Sequence, residues 1–242
     1  DNKCEYDENI KAKDEEIKYL LDEVNIYFTK PLKKEDILSS WSGIRPLIKS
    51  ANKSNTQEIV REHLIISSKN GLISIAGGKW TTYRKMAQDM MDFLVDKNYL
   101  EKRKSCKTKK YKLAGNEEKH KDLEKLISFY AISKSTKESL ITLYGNNTTV
   151  VLNIASELNN FELINENLPY LKAEIIYCVE YEFVKKPIDF LSRRIGLCFL
   201  NKEASIDSVD AVCLEMGKLY NWDDERLEKE IAECKEYIYK NF

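Results

Sequence analysis

The sequence predicts an α+β fold that is mostly α: a small β hairpin leading into a helix, followed by an all-α second half. Three observations carry this. Apolar residues recur at helical spacing almost everywhere beyond residue 112. Two short apolar runs, 63–67 and 72–76, flank Ser68-Lys69-Asn70-Gly71, and Asn-Gly is a strong hairpin signal because both residues tolerate positive φ. Only eight glycines and four prolines occur in 242 residues, which suits helices with few tight turns.

Taken in order, 14–28 reads as an amphipathic helix. Ile17, Leu20, Leu21, Val24, Tyr27 and Phe28 share a face, Asp14 is placed to cap it, and Glu15 and Glu16 occupy the first turn. Thr29 to Pro31 ends it, and a short helix is expected over 35–40. The polar stretch 49–56 reads as an exposed loop. After the hairpin, Tyr83, Met86, Ala87, Met90 and Leu94 mark a helix that begins directly after two glycines. From Lys97 to Lys112, eight Lys or Arg residues stand against the single Glu101, which reads as a solvated basic linker. Beyond it come a stripe of Leu123, Leu126, Ile127 and Tyr130, then a capping box of Ser135 and Glu138 before a helix that stops at Gly145. Val151, Ile154, Ala155 and Leu158 mark the next stripe. Further helices are expected over 170–182, 187–200, 206–220 and 223–239, with Pro187 in a first turn. The domains implied are 1–100, a linker 101–112, and a helical domain 113–242.

Composition narrows the function classes. Net charge is −1, so no whole-chain field favours nucleic acid or an anionic membrane. Six cysteines are scattered singly, no CxxC occurs, and the two histidines lie far from metal-ligand spacing. The expectation is therefore a reducing compartment, with no zinc and no disulfide framework. No apolar run approaches the ~20 residues of a membrane span, and no signal peptide opens the sequence.

The chemically informative stretch is 75–84, Ile-Ala-Gly-Gly-Lys-Trp-Thr-Thr-Tyr-Arg. A strand that passes through Gly77 and Gly78 into a helix N-terminus builds an anion site from free N–H groups and the positive end of the helix dipole. Lys79 adds a cation beside the turn. The nucleotide phosphate loop GxxxxGK[ST] is excluded, because Ile73 stands where its first glycine belongs and Trp80 where Ser or Thr must hold magnesium. A plain tight turn that packs a helix on its strand is the alternative. Arg45, in a glycine-flanked loop before Pro46, suits forked binding of phosphate or carboxylate, and an ordinary surface arginine is the alternative. Arg61, beside Glu62 and His63, reads first as a surface ion pair. Neither His63 nor His120 shows a partner at a recognisable spacing. Ser192-Arg193-Arg194 reads first as a structural ion pair.

Taken together, Trp41-Ser42-Gly43-Ile44-Arg45-Pro46-Leu47, Arg61-Glu62-His63 and Gly77-Gly78-Lys79-Trp80-Thr81-Thr82-Tyr83-Arg84 resemble FAD-dependent, respiratory glycerol-3-phosphate dehydrogenase. The resemblance continues through Tyr170, Glu174, Ser192-Arg193-Arg194 and Asn221-Trp222-Asp223-Asp224. It implies that 1–100 is the carboxy-terminal part of an FAD/substrate domain, whose hairpin is a remnant of a larger sheet, and that 113–242 is the helical C-terminal domain. The family's GxGxxG unit, which holds the ADP half of FAD, does not occur in this sequence, nor does a DxDxDG calcium loop. The chain thus resembles the later portion of a longer enzyme.

The resemblance further implies oxidation of sn-glycerol 3-phosphate to dihydroxyacetone phosphate, with hydride passing to FAD and electrons to a quinone. Arg45 and Arg61 match arginines at the family's substrate site, and Lys79 is placed to contact the substrate oxygen, which makes these three the catalytic residues the resemblance implies. Gly77, Gly78, Lys79, Trp80 and Thr81 match the turn against the flavin. The family's candidate base lies upstream of the matched region, so His63 takes no such role. Peripheral association with the mitochondrial inner membrane (or with the cytoplasmic membrane in a bacterium) is implied, a homodimer is compatible, and nucleic acid is not a partner. The competing reading is a non-catalytic helical interaction module with a strand scaffold.

Overall fold

The computed structural model describes residues 5, 7, 10–44, 63–101, 104–116 and 123–242. The predicted loop over 49–56 lies outside the described residues. The architecture is mostly α with one small antiparallel sheet, in agreement with the sequence. By contact, the chain divides into two units, Ile44–Lys112 and a second formed by Asp1–Gly43 with Leu113–Phe242.

In the first unit, β1 (His63–Ser67) pairs antiparallel with β2 (Ile73–Gly77), placing His63 opposite Gly77 and Ile65 opposite Ile75. β2 therefore starts and ends one residue later than the apolar run suggests. In the turn, Gly71 takes φ +87°, whereas Asn70 does not share it. Asn70 works instead through its side chain, whose Oδ1 accepts from the Leu72 N–H at 3.3 Å and from the Ser68 hydroxyl. Helix α2 (Tyr83–Asp96) packs against β1. The described residues of the basic stretch after α2 are all exposed; at its surface Tyr99 meets the Ser67 hydroxyl at 3.5 Å, and Arg84 Nη1 donates to Thr108 Oγ1 at 3.3 Å. No described residue of this unit is fully buried.

The second unit opens with α1 (Asp14–Asn25). Its cap is Lys13 rather than Asp14: the Lys13 N–H donates to Glu16 Oε2 at 2.9 Å, so Asp14 already lies in the first turn. The helix stops three residues short of Phe28 because the Asn25 amide clasps the backbone of Leu32 in both directions, at 2.7 and 3.0 Å. Only a 3₁₀ turn at Lys34–Asp36 stands where a short helix is expected over 35–40. The segment then docks on the helical body. Leu38 O accepts from the Lys202 N–H at 3.0 Å, Ser39 Oγ donates to Cys198 O at 2.6 Å, and Trp41 meets Phe199 edge-on.

That body contains α3 (Leu123–Ser128), α4 (Lys134–Tyr144), α5 (Thr148–Glu157), α6 (Lys172–Tyr181), α7 (Leu197–Leu200), α8 (Lys202–Tyr220) and α9 (Asp224–Asn241). α5 packs on α6, α6 on α8 and α8 on α9, around fully buried Leu140, Leu152, Ile175, Phe190, Val212 and Met216. The cap of α4 is Ser133, accepting from the Thr136 N–H at 3.1 Å, so the expected Ser135–Glu138 box does not form. A single helix over 187–200 does not form either; a π-helix over Asp189–Arg194 is followed by a left-handed turn at Gly196 before α7. Arg193 pairs with Asp189 at 2.7 Å and Arg194 with Glu182 at 2.9 Å, the structural ion pairs expected there. Between α8 and α9, Asn221 is left-handed, Trp222 stacks on Tyr220, and Asp223 caps α9 through the Arg226 N–H at 2.9 Å. Cys178, Cys198 and Cys213 are buried, and burial pushes their thiols up to about 12, 11 and 12. They behave as small hydrophobes.

Glu174 is fully buried, and no cation pairs with it among the described residues. It sits at the third position of α6, where Oε1 accepts from the Leu171 N–H at 2.6 Å and Oε2 from the Tyr144 hydroxyl at 2.9 Å. Burial raises its pKa from 4.5 to about 7, against the lowering effect of those two hydrogen bonds. A folded-state pKa above the unfolded one means that the stabilisation is complete below the unfolded value and is lost as pH rises through about 7. The full loss is on the order of 3 kcal/mol. Glu174→Gln keeps an acceptor for Leu171 but carries no charge. Its melting temperature is therefore expected to exceed that of the parent above neutrality and to lose most of the dependence on pH. Thermal melts of both proteins from acid to mildly alkaline pH check this, and parallel curves would refute it.

Candidate functional site

The chain leaves β2 through Gly77 and Gly78, both in the left-handed region at φ +76° and +75°. A side chain there would cost ~1–2 kcal/mol per residue in backbone strain alone. At Gly78 the space is also taken: a Cβ would lie 2.6 Å from Met86 Sδ and 3.3 Å from His63 Cβ. Lys79 returns to an extended conformation, and a 3₁₀ turn, Trp80–Thr82, intervenes before α2. The helix thus begins one turn later than the sequence suggests. Thr82 closes that turn, its hydroxyl donating to Lys79 O at 2.8 Å while its Oγ1 accepts from the Lys79 N–H at 3.2 Å. The N–H groups of Trp80 and Thr81 open the turn and have no partner within it.

The turn forms one edge of an open groove of about 520 Å³. Its wall is apolar and rich in sulfur: Ile75 from β2, then Met86, Ala87, Met90 and Met91 from α2. Three of the four methionines in the chain stand here. Flexible polarisable thioethers conform to flat, π-rich surfaces. Trp80 is 88% exposed at the rim, 6.0 Å from the Tyr83 ring. No acidic residue occupies the first turn of α2, and among the described residues no carboxylate pairs with Lys79. The edge of the groove is therefore electropositive and its wall is not. That combination suits a planar ring system carrying negative character along one side.

Beneath the turn, His63 Nε2 lies 3.1 Å from Asp89 Oδ2, and Lys85 reaches the other carboxylate oxygen. The Lys85 hydrogen bond, assisted by the charges of Lys85 and His63, holds the Asp89 carboxyl below its usual range despite the opposing effect of burial. Sequence reading misses this pair, because twenty-six positions separate the two residues and no periodicity links them. The methionine lining is also missed: at helical spacing, Met86 and Met90 read as core. The available signal is their place in the first turns of the helix that follows a double glycine.

Of the residues expected at the site, Gly77, Gly78, Lys79 and Trp80 meet at the groove. Thr81 lies in the same 3₁₀ turn without lining it. Arg45, Arg61 and His120 lie outside the described residues.

Residues 106–227 match the family model described as the C-terminal domain of alpha-glycerophosphate oxidase. The chain belongs to this family. Among curated relatives, the mitochondrial glycerol-3-phosphate dehydrogenase of Saccharomyces cerevisiae is 32% identical across 96% of the chain, and that of Homo sapiens is 31% identical across 93%. The chain spans 40% and 32% of their respective lengths. A crystal structure of glycerol-3-phosphate dehydrogenase from Bacillus halodurans complexed with FAD superposes with a TM-score of 0.70 at 28% identity, covering 96% of this chain and 46% of that one.

The geometry distinguishes two glycine substitutions. Gly71→Ala meets nothing within 4 Å, so it costs backbone strain alone, about 1–2 kcal/mol. Gly78→Ala adds the collision with Met86 and must push that thioether into the groove. Hydrogen exchange over β1, β2 and α2 is expected to show the larger loss of protection for Gly78→Ala. Equal losses would mean that Met86 does not fill the space behind Gly78.

Proposed function

We propose that this chain provides the later part of an FAD-dependent glycerol-3-phosphate dehydrogenase, which oxidises sn-glycerol 3-phosphate to dihydroxyacetone phosphate. The observation that carries the reading is the junction at 77–80: left-handed backbone, a cation without a carboxylate partner among the described residues, and an apolar sulfur-lined wall at one groove. Similarity across nearly the whole chain to a dehydrogenase complexed with FAD supports it.

The residues present fit the ring end of a flavin. The sulfur-lined wall accepts a flat face, and the exposed N–H groups and Lys79 face the side that gains negative charge. FAD, when bound, supplies the hydride acceptor. Gly77 and Gly78 allow close approach of the backbone, while Lys79 carries positive charge toward both ring and substrate. In this proposal Arg45 and Arg61 bind the phosphate dianion, forked guanidinium to phosphate oxygens. In this proposal the proton of the oxidised hydroxyl goes to a base that the family carries upstream of the matched region, and His63, whose Nε2 lies 3.1 Å from Asp89 Oδ2, is given no such role. In sequence, 1–100 belongs to the catalytic domain and 113–242 to the helical one, with 101–112 between them. Electrons leave to a quinone at a membrane surface, mitochondrial in a eukaryote and cytoplasmic in a bacterium. Among the described residues no helix is long and apolar enough to cross a membrane. Peripheral association of the full-length enzyme is part of this proposal, and a homodimer is compatible with it.

Two outcomes test this. In the flavin-loaded protein, Arg45→Gln and Lys79→Met are each expected to lower kcat/KM for glycerol 3-phosphate by about a hundredfold or more with unchanged flavin content; unchanged turnover would overturn the site assignment. The 242-residue chain, which contains no GxGxxG, is expected to bind FAD weakly at most. Stoichiometric visible flavin absorbance after gel filtration of that chain would contradict the division of the cofactor site.

A further inference from the structure

Residues 104–112, Lys-Ser-Cys-Lys-Thr-Lys-Lys-Tyr-Lys, hold five lysines and no acidic residue, in a chain whose net charge is only −1. All of them are exposed. A 3₁₀ turn, Thr108–Lys110, crowds three of the cations together. The Lys110 N–H donates to Lys107 O at 3.1 Å and the Tyr111 N–H to Thr108 O at 3.2 Å. Such a turn keeps the Cα atoms of Lys107 and Lys110 within ~7 Å, inside the ~10 Å over which like charges repel at moderate salt.

This charge is not compensated from within. Among the described residues, no carboxylate forms an ion pair with Lys104, Lys107, Lys109, Lys110 or Lys112. Helix α2 faces the segment with one cation and one anion, Arg84 and Asp92, which offset each other. Arg84 also holds the segment in place: its Nη1 donates to Thr108 Oγ1 at 3.3 Å, which ties the lysine turn to the helix that lines the groove. Lysines of the helical unit are treated differently. Lys134, Lys229 and Lys240 each pair with a glutamate one helical turn away.

Apolar groups in the same stretch are exposed as well. Tyr111, at 79% exposure, directly follows the turn, and Tyr99 and Leu100 stand exposed where α2 ends. Ammonium groups beside exposed tyrosine rings suit an anionic lipid surface, where the cations meet headgroup charges and the rings settle at the level of the headgroups. We propose that the lysine turn within 104–112, with Tyr111, is the surface by which this unit docks on an anionic phospholipid membrane. The choice of a membrane as partner rests on the function proposed above, whose electrons leave at one; the charge and exposure of the turn do not.

Co-sedimentation of the 242-residue chain with vesicles tests this. Binding is expected to vesicles of phosphatidylcholine mixed with phosphatidylserine and not to phosphatidylcholine alone, and to fall about tenfold or more from low to moderate salt. Lys107→Gln/Lys109→Gln/Lys110→Gln should lower the partition coefficient about a hundredfold, at roughly fivefold per lysine. Lys134→Gln/Lys229→Gln/Lys240→Gln removes the same charge from the helical unit and should lower it less than about threefold. Both triple variants should keep the circular dichroism of the parent, since every substituted side chain is exposed. Equal losses in the two variants would mean that net charge alone is at work, and would overturn the proposal. Binding indifferent to phosphatidylserine, or tighter retention on duplex DNA than on the vesicles at the same salt, would overturn it too. A flavin-loaded protein with no turnover of glycerol 3-phosphate would instead remove the proposed function, leaving the vesicle result to judge the surface.

Discussion

Between β2 and α2 the chain must stop pairing, reverse and enter a helix that packs back on the same hairpin, all within a few residues. Two consecutive residues at φ near +75° accomplish this, and only glycine adopts that geometry without strain. What makes this region a candidate site follows from the manoeuvre. The bend presents Lys79 and Trp80 at its crest, leaves the opening N–H groups of a 3₁₀ turn without partners inside it, and brings Met86 against the backbone where a side chain would otherwise stand. The groove is the space left between the end of the strand and the helix face.

The two units rest on different physics. The helical unit closes a core of its own, with large aliphatic and aromatic side chains fully buried and even its buried carboxylates, Glu174 and Glu230, provided with hydrogen-bonding partners. The unit that carries the groove has none of this: its described strands and helix contain no fully buried residue, and Leu64, Ile66, Leu72 and Met91 stand exposed. A hairpin and one helix cannot bury enough apolar surface to offset their ordering entropy by much. The groove therefore belongs to a part of the molecule whose rigidity depends on specific contacts, such as the His63–Asp89 pair, more than on bulk burial.

How far the sequence reveals this follows the same division. Helices α4, α5, α6, α8 and α9 are legible because a packed bundle imposes the 3.6-residue period on its apolar residues. The hairpin is legible through Asn70-Gly71, although only the glycine uses the positive φ. Periodicity fails where side-chain contacts distant in sequence decide the backbone. Asn25 ends α1 by holding Leu32, and the 187–200 pattern runs through a π-helix and the Gly196 turn without losing its apolar stripe. The docking of Trp41 on Phe199 is invisible to any local pattern. At the site, Gly77, Gly78 and Lys79 announce themselves by type and order, whereas Asp89 looks like any charged residue on a solvated helix face. Its significance lies in a strand twenty-six positions away.

In the proposed function the bend at 77–80 faces both the flavin ring and the phosphorylated substrate. A crystal structure of the flavin-loaded protein soaked with glycerol 3-phosphate tests it most directly. The flavin ring is expected against the methionine wall, with Lys79 Nζ within hydrogen-bond distance, roughly 3 Å, of a ring or substrate oxygen. A ring seated elsewhere, with Lys79 extended into solvent and the groove filled by other protein side chains, would contradict it.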